Sequence, residues 1–343
     1  MPLVSVLMPV HNAEAYLRDA MSSVFAQTFG DFEFIVVDDG STDSTPSILE
    51  ACTDPRLRVL RNEGNLGVIA SLNRGLESAR GEFVARMDAD DVCYSDRLAV
   101  QVEFMKDKPE IGLVGAWYRP MGARRSRVVR LPATHEDICA WLPFHCPIAH
   151  PTAFLRRKVF VSNQLNYDLQ YRHAEDYELW SRAARVTRLA NIPQALLRYR
   201  VHLDQVTSQH SDAQAANAKR VRGRELARLL RDVSPSEIDF HQEIVTCTFE
   251  QHLAVLARIE TWLSRLREEN RRAGVFWRPS FDRAIEKIWL AAALTCMPRI
   301  WALARYAQSP LTGMAGHRAA AVAGFVARTL KRLASGRAGK AAS

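Results

Sequence analysis

The sequence predicts an α/β fold over residues 1–210, followed by a helical region over residues 211–343. Three observations carry that expectation. Short valine-rich apolar runs alternate with stretches of helical spacing. Two of those runs end in acidic turns. From about Asp204 onward only helical patterns remain. Alternating β and α units imply a mostly parallel sheet flanked by helices. Ligands of such sheets sit beyond the carboxyl ends of the strands, where both acidic turns fall.

The elements follow in order. Val4 to Val10 is too short for a helix and too apolar for a loop, so it predicts a buried strand. Asn12 is placed to cap a helix over about Ala13 to Gln27, which stops near Gly30. Phe32 to Val37 predicts the second strand and runs into Asp38-Asp39-Gly40-Ser41. Ser44 or Thr45, with Pro46 in the first turn, opens a short helix to Ala51. Leu57 to Arg61 predicts a third strand, and Gly67 to Ala79 a helix with Val68, Leu72, Leu76 and Ala79 on one face. Phe83 to Met87 predicts a fourth strand ending in Asp88-Ala89-Asp90-Asp91. Asp96 to Lys106 predicts a helix, and Gly112 to Trp117 a fifth strand.

In the second region, Ser211 to Asp232 is polar and helical. Val245, Phe249, Leu253, Leu256, Ile259, Leu263 and Leu266 mark one apolar stripe on a long helix. Packing within the chain is the plain account of that stripe, and a homo-oligomer through these helices the sharper one. Ile288 to Ala304 is strongly apolar but contains Pro298 and Arg299. It falls short of the ~20 residues a membrane span needs, which predicts a buried or interface-lying helix.

Charge is distributed unevenly. The 343 residues carry 46 Lys+Arg against 38 Asp+Glu, a net of +8. Nine basic and no acidic residues lie from Lys287 onward, leaving a nearly neutral body with a cationic tail. That pattern argues against a chain that wraps nucleic acid. Cys52, Cys93, Cys139, Cys146, Cys247 and Cys296 are scattered with no CxxC pair, which points to a reduced cytoplasmic compartment. The amino terminus has no basic n-region and reads as no signal peptide.

Four constellations carry candidate chemistry. Asp38 to Asp43 is either a tight strand-to-helix turn or a carboxylate site for a base imide or ribose hydroxyl. Asp88-Ala89-Asp90-Asp91 sets three mutually repelling carboxylates in four residues. Oxygen-only ligands of this kind suit Mg2+ or Mn2+ beside substrate phosphates, and a solvated acidic turn is the plain alternative. Glu175 and Asp176 are either helix N-terminal acids or a general base. His202, after Tyr199-Arg200-Val201, is either structural or able to complete a metal shell. Arg119, Arg124, Arg125, Arg127 and Arg130 form a basic run, either a solvated loop or a hold on an anionic substrate or lipid head group. Competing chemistry lacks its motifs: Gly64-Asn65-Leu66-Gly67 is only GxxG, and there is no Walker A sequence, GxSxG or HExxH.

In this order the pieces resemble the family 2 glycosyltransferases, which have the GT-A fold. The matching residues are Val6 to Asn12, Val36 to Asp43, Asn65 to Gly67 with Leu72 to Leu76, Met87 to Asp91, His150 to Thr152, Ala174 to Trp180 and Tyr199 to His202. The resemblance spans about residues 3–205. It implies that Pro9, His11, Asn12 and Asn65 line a nucleotide-sugar pocket. Asp39 would hydrogen-bond the base, uracil or thymine first, and Asp88 the ribose or sugar. Asp90, supported by Asp91, would bind a divalent metal (Mn2+ or Mg2+), with His202 as a further ligand. Asp176 would be the catalytic base with Glu175 beside it, and His150 and Thr152 would lie on the acceptor side.

The resemblance further implies an inverting transfer to a glycan or lipid-linked acceptor in surface polysaccharide assembly. A catalytically silent sugar-nucleotide-binding protein is the alternative. In the tail, Val322, Phe325, Val326, Leu330 and Leu333 fall on one helical face and Arg328, Lys331 and Arg332 on the other. That pattern suits an anionic membrane surface at about 1 kcal/mol per nearby basic residue, or a solvated basic end.

Overall fold

The computed structural model describes residues 1–122, 126–201, 211–250, 252–295 and 309–312. The chain divides into two compact units, Met1–Glu225 and Leu226–Ser343.

In the first unit the strands are β1 (Val4–Val10), β2 (Phe32–Asp38), β3 (Leu57–Arg61), β4 (Phe83–Arg86), β5 (Val92–Cys93), β6 (Ile111–Met121), β7 (Phe154–Arg156) and β8 (Arg188–Arg200). They form one eight-stranded sheet in the order β3-β2-β1-β4-β7-β6-β8-β5. Of the five strands expected, the first four pair in parallel, β1 with β2 and β4 and β2 with β3, while the fifth, β6, pairs parallel with β8 and antiparallel with β7. β7 enters antiparallel between β4 and β6, and β5 closes the far edge antiparallel to β8, so the whole sheet is mixed.

The helices of this unit are α1 (Leu17–Phe25), α2 (Thr45–Glu50), α3 (Val68–Ser78), α4 (Arg97–Asp107), α5 (His135–Trp141), α6 (Arg157–Ser162), α7 (Glu175–Ala183) and most of α8 (Ser211–Leu229). Strand alternation divides the core into two layers. Val4, Val6, Met8 and Val10 of β1 pack with Leu17, Ala20, Met21 and Val24 of α1 and with α2 and α4. Leu7 points the other way, onto Ile69 and Leu72 of α3 in the layer that holds Leu179 and Trp180 of α7. Side chains covered on both sheet faces explain why β1 and β2 are buried at every position and mostly apolar. Each fully buried Leu, Ile or Phe contributes about 1.5–3 kcal/mol.

Two expectations about helices are corrected. Asn12 does not cap α1, whose N-cap is Tyr16. Asn12 instead takes a left-handed backbone (φ 48) and turns its side-chain oxygen to the Thr42 N–H at 2.8 Å. The single long helix drawn through Val245 to Leu266 is two: α9 (Pro235–Thr246) and α10 (Leu253–Ala273). Cys247 breaks it in a left-handed conformation (φ 55), where the Thr248 N–H reaches back to the Glu243 carbonyl. His252 restarts the helix by accepting the Val255 N–H.

Within the second unit α10 packs on α11 (Arg278–Thr295), and Val245, Phe249, Leu256, Ile259, Leu263 and Leu266 are all buried. No helix among the described residues is long and apolar enough to cross a membrane. The later part of the Ile288–Ala304 run and the basic tail around Val322 to Leu333 lie outside the described residues.

Candidate active site

The carboxyl ends of β1, β2 and β4 open onto one edge of the sheet, each with a loop rich in polar residues. The first two loops are tied together. The Asn12 N–H reaches Ser41 Oγ (3.0 Å), the Ala13 N–H reaches Thr45 Oγ1 (2.9 Å), and the Glu14 N–H reaches an Asp43 oxygen (3.0 Å).

Asp39, 3% exposed, anchors the third piece. Its Oδ1 accepts from Asn62 Nδ2 (2.6 Å) and the Leu66 N–H (2.9 Å), and its Oδ2 from the Gly67 N–H (2.8 Å). This carboxylate therefore fixes the loop ahead of α3. Gly40 makes the close approach possible. Its φ is +69, and a Cβ there would stand 2.6 Å from the Gly64 carbonyl carbon.

His11 bridges both sides. Its Nδ1 lies 2.9 Å from the Asp39 carbonyl and its Nε2 3.1 Å from Asn65 Nδ2. One neutral tautomer satisfies both contacts: Nδ1–H donates to the carbonyl and Nε2 accepts from the amide. His11, Asn12 and Asn65 are exposed at this rim, whereas Pro9 is buried within β1 opposite Val37.

After β4 the acidic turn gathers Asp88, Asp90 and Asp91, which can present one carboxylate oxygen each within 4.8 Å of one another. Asp91 is buried. Its Oδ1 accepts the Arg200 N–H (2.8 Å), and its Oδ2 has no hydrogen-bond partner among the described residues. Arg200 also donates from Nε to the Asp90 carbonyl (2.7 Å), so the end of β8 is seated on this turn. Burial, then the charges of Asp88 and Asp90, push the Asp91 carboxyl up to about 9. Asp88 is raised by burial and by Asp90 against the pull of Arg86. Three crowded hard oxygen donors, one of them orphaned, fit a divalent Mg2+ or Mn2+ ion.

Arg86, at the end of β4, is the unforeseen member of the site. It is 5% exposed and ion-pairs with Asp88, while its Nε is buried without a partner among the described residues. Its charge is also felt by Asp91, Glu175, Asp176, His150 and Tyr167. An arginine inside a strand gives no sequence signal beyond its type; its place two residues before Asp88 was the available hint.

Glu175 and Asp176 open α7. Burial and the charge of Asp176 push Glu175 up to about 7, and its Oε2 is buried without a partner among the described residues. Burial also raises Asp176. Asp176 Oδ1 accepts the Tyr177 N–H (2.7 Å), and its Oδ2 lies 3.6 Å from the Cys146 thiol. The charge of Asp176 also raises Asp88 across the site.

Two residues expected on the acceptor side are part of the packing beneath it. His150 is 9% exposed, bonded to the Tyr167 hydroxyl (2.9 Å) and set edge-on to Trp180. Burial holds its imidazole well below the usual range. Thr152 is fully buried and accepts the Ala116 N–H with its hydroxyl. His202, expected as a metal ligand, lies outside the described residues, as do Arg124 and Arg125 of the basic run.

Comparison with known proteins agrees with this architecture. The sequence model of glycosyl transferase family 2 matches residues 5–163. An uncharacterized glycosyltransferase of Haemophilus influenzae is 34% identical over 244 residues, which is 68% of this chain and 76% of that protein. The putative teichuronic acid biosynthesis glycosyltransferase TuaG of Bacillus subtilis is 42% identical over 109 residues, 31% of this chain and 43% of its own. Among solved structures, S. aureus TarS 1-349 in complex with UDP-GlcNAc superposes with a TM-score of 0.57 at 20% identity, covering 85% of each chain. From the ordered motifs, the mixed sheet and these likenesses together, the chain belongs to glycosyl transferase family 2 and is a glycosyltransferase of GT-A type.

Proposed function

We propose that this enzyme moves a sugar, with inversion, from a nucleoside-diphosphate donor, UDP- or dTDP-linked first, to a hydroxyl of a glycan or lipid-linked acceptor in surface polysaccharide assembly. One observation carries the reading. Arg86, buried at the end of β4, ion-pairs with Asp88 of the acidic turn, and its charge reaches Asp91 and the Glu175–Asp176 helix start from a distant part of the chain. The turn suits a diphosphate and its cation, and the helix start suits an acceptor proton. The name of TuaG supports the polysaccharide setting, and the UDP-GlcNAc bound by TarS supports a nucleotide-sugar donor.

The loop held by Asp39, with His11, Asn12 and Asn65 at its rim, receives the nucleotide. Asp88, Asp90 and Asp91 would hold the divalent ion; when bound it neutralises negative charge on the leaving diphosphate. Asp176 takes the proton from the acceptor hydroxyl. The freed oxygen attacks C1 from the face opposite the diphosphate. The C1–O bond breaks and its electron pair leaves with the nucleotide. One displacement with one base inverts the anomeric centre, by the geometry that governs inverting glycosidases. No protein nucleophile is needed. The basic tail would hold the enzyme at an anionic membrane surface beside its acceptor.

The test is a turnover and thermal-shift screen of UDP-, dTDP- and GDP-sugars with Mn2+ or Mg2+. Release of nucleoside diphosphate from at least one donor is the expected result. Binding across the panel with no turnover of any donor would instead support the sugar-nucleotide-binding alternative.

A further inference from the structure

We infer that Arg222, on α8, is a positioning residue for the base at the start of α7, an inference that rests on the role proposed above for Asp176. Its sequence neighbourhood is a polar helix with no motif, yet Arg222 is only 8% exposed. Its Nε donates to the Phe144 carbonyl at 2.7 Å, and its guanidinium lies 5.7 Å from the centre of the Tyr177 ring.

The segment it holds, Leu142 to Cys146, touches the base from two directions. The Tyr177 hydroxyl, one residue past Asp176, donates to the Leu142 carbonyl. The Cys146 thiol lies 3.6 Å from Asp176 Oδ2 and 3.3 Å from the Ile148 carbonyl. Arg222 therefore sits behind a short relay that ends on the carboxylate.

The rest of α8 is fastened to α7 along the same seam. Arg224 pairs with Glu178 at 2.9 Å, where Glu178 is 1% exposed and also held by Arg182. Glu225, fully buried, accepts from Ser181 (2.5 Å) and Arg185 (3.2 Å). Ala218 and Val221 pack with Leu142, Tyr171, Ala174 and Tyr177 in one small apolar cluster. Buried charges paired this way contribute little net stability, because desolvation offsets their attraction, but they hold one geometry. The geometry held here is that of the first turn of α7.

The test uses the full chain, Mn2+ and whichever of UDP-glucose, UDP-N-acetylglucosamine, dTDP-glucose and GDP-mannose turns over fastest. Arg222→Met is expected to lower kcat by roughly 10- to 100-fold, the cost of displacing a reacting group by about 1 Å. The donor KM and the Kd of the nucleoside diphosphate should move less than about twofold, since the donor loops are untouched. Arg222→Lys, which keeps a charged donor beneath Phe144, should recover most of the loss. If Arg222→Met does not fold by circular dichroism, Tyr177→Phe replaces it. That variant removes only the hydroxyl tether to Leu142 and should show the same loss confined to kcat.

Wild-type kcat in a folded variant, or a loss carried wholly by donor KM, overturns the inference. Asp176→Asn separates the two levels. If Asp176→Asn is inactive while the Arg222 and Tyr177 variants run at full rate, only the role of Arg222 fails. If Asp176→Asn turns over normally, the base assignment fails first.

Discussion

The two halves of the site are built on opposite principles. Around Asp39 the polar groups answer one another: three donors converge on one carboxylate, and His11 satisfies two partners with one tautomer. Around Arg86 they do not. Asp91 Oδ2, Glu175 Oε2 and Arg86 Nε are buried without partners among the described residues, and four carboxyl groups are pushed above their usual range by burial and crowding. Leaving a buried polar group unpaired costs about 1–3 kcal/mol. The first arrangement is rigid before any ligand arrives, whereas the second keeps buried polar atoms whose partners a ligand would have to bring.

Four experiments test that contrast. The largest effect is expected from Asp176→Asn, which should lower turnover by about 10³-fold while nucleotide binding, followed by calorimetry, stays intact. Joint loss of binding would show that the two halves are not separable. Asp90→Ala should weaken Mn2+ binding by at least about tenfold in a paramagnetic-resonance titration and lower turnover with it. Unchanged affinity would remove the metal from this turn.

The third effect is on pH. Glu175 is pushed up to about 7 and Asp176 is also raised, so these groups are protonated over more of the acid range than ordinary carboxyls. A base works deprotonated. Turnover should therefore rise with pH by about tenfold per unit on the acid side, levelling off near neutrality. An acid limb lying entirely below pH 5 would contradict the crowded-site account.

The smallest effect tests the rigid half. Gly40→Ala forces a Cβ to within 2.6 Å of the Gly64 backbone at a φ of +69. It should lower unfolding stability by about 1–3 kcal/mol in urea and weaken nucleotide binding, with kcat at saturating donor little changed. An unaltered denaturation midpoint would mean that the loop contact has slack.

Legibility in the sequence followed the physics of each element. β1, β2 and β4 were readable because both faces are covered and their runs are mostly apolar. β7 was not, since three residues beside a turn make no period, and β8 is interrupted at its middle by Pro193 and Gln194. The break at Cys247 was hidden because the apolar residues on either side keep helical spacing across it. In the site, carboxylates next to strand ends stood out by type and position. Cys146 and Arg222 did not, because each acquires meaning only from neighbours far away in the chain, and Arg86, beside Asp88, gains most of its setting from the distant start of α7. Thr152 and His150 show the reverse: a motif marks them, and the fold uses them as packing and hydrogen-bonding groups under the site.

The strand order has one more consequence. From β1 the chain proceeds outward through β2 to β3 and then returns to β4 on the opposite flank of β1. The turns that follow β1 and β4 therefore stand side by side at the carboxyl end of the sheet, where ligands of such sheets bind. The groups that tie the Asp39 loop are encoded before residue 83, and the acidic turn and the start of α7 after it. Under the proposed roles the two sets of groups are separately encoded, so a substitution in the Asp39 loop that changes nucleotide choice would leave the Glu175–Asp176 helix start in place.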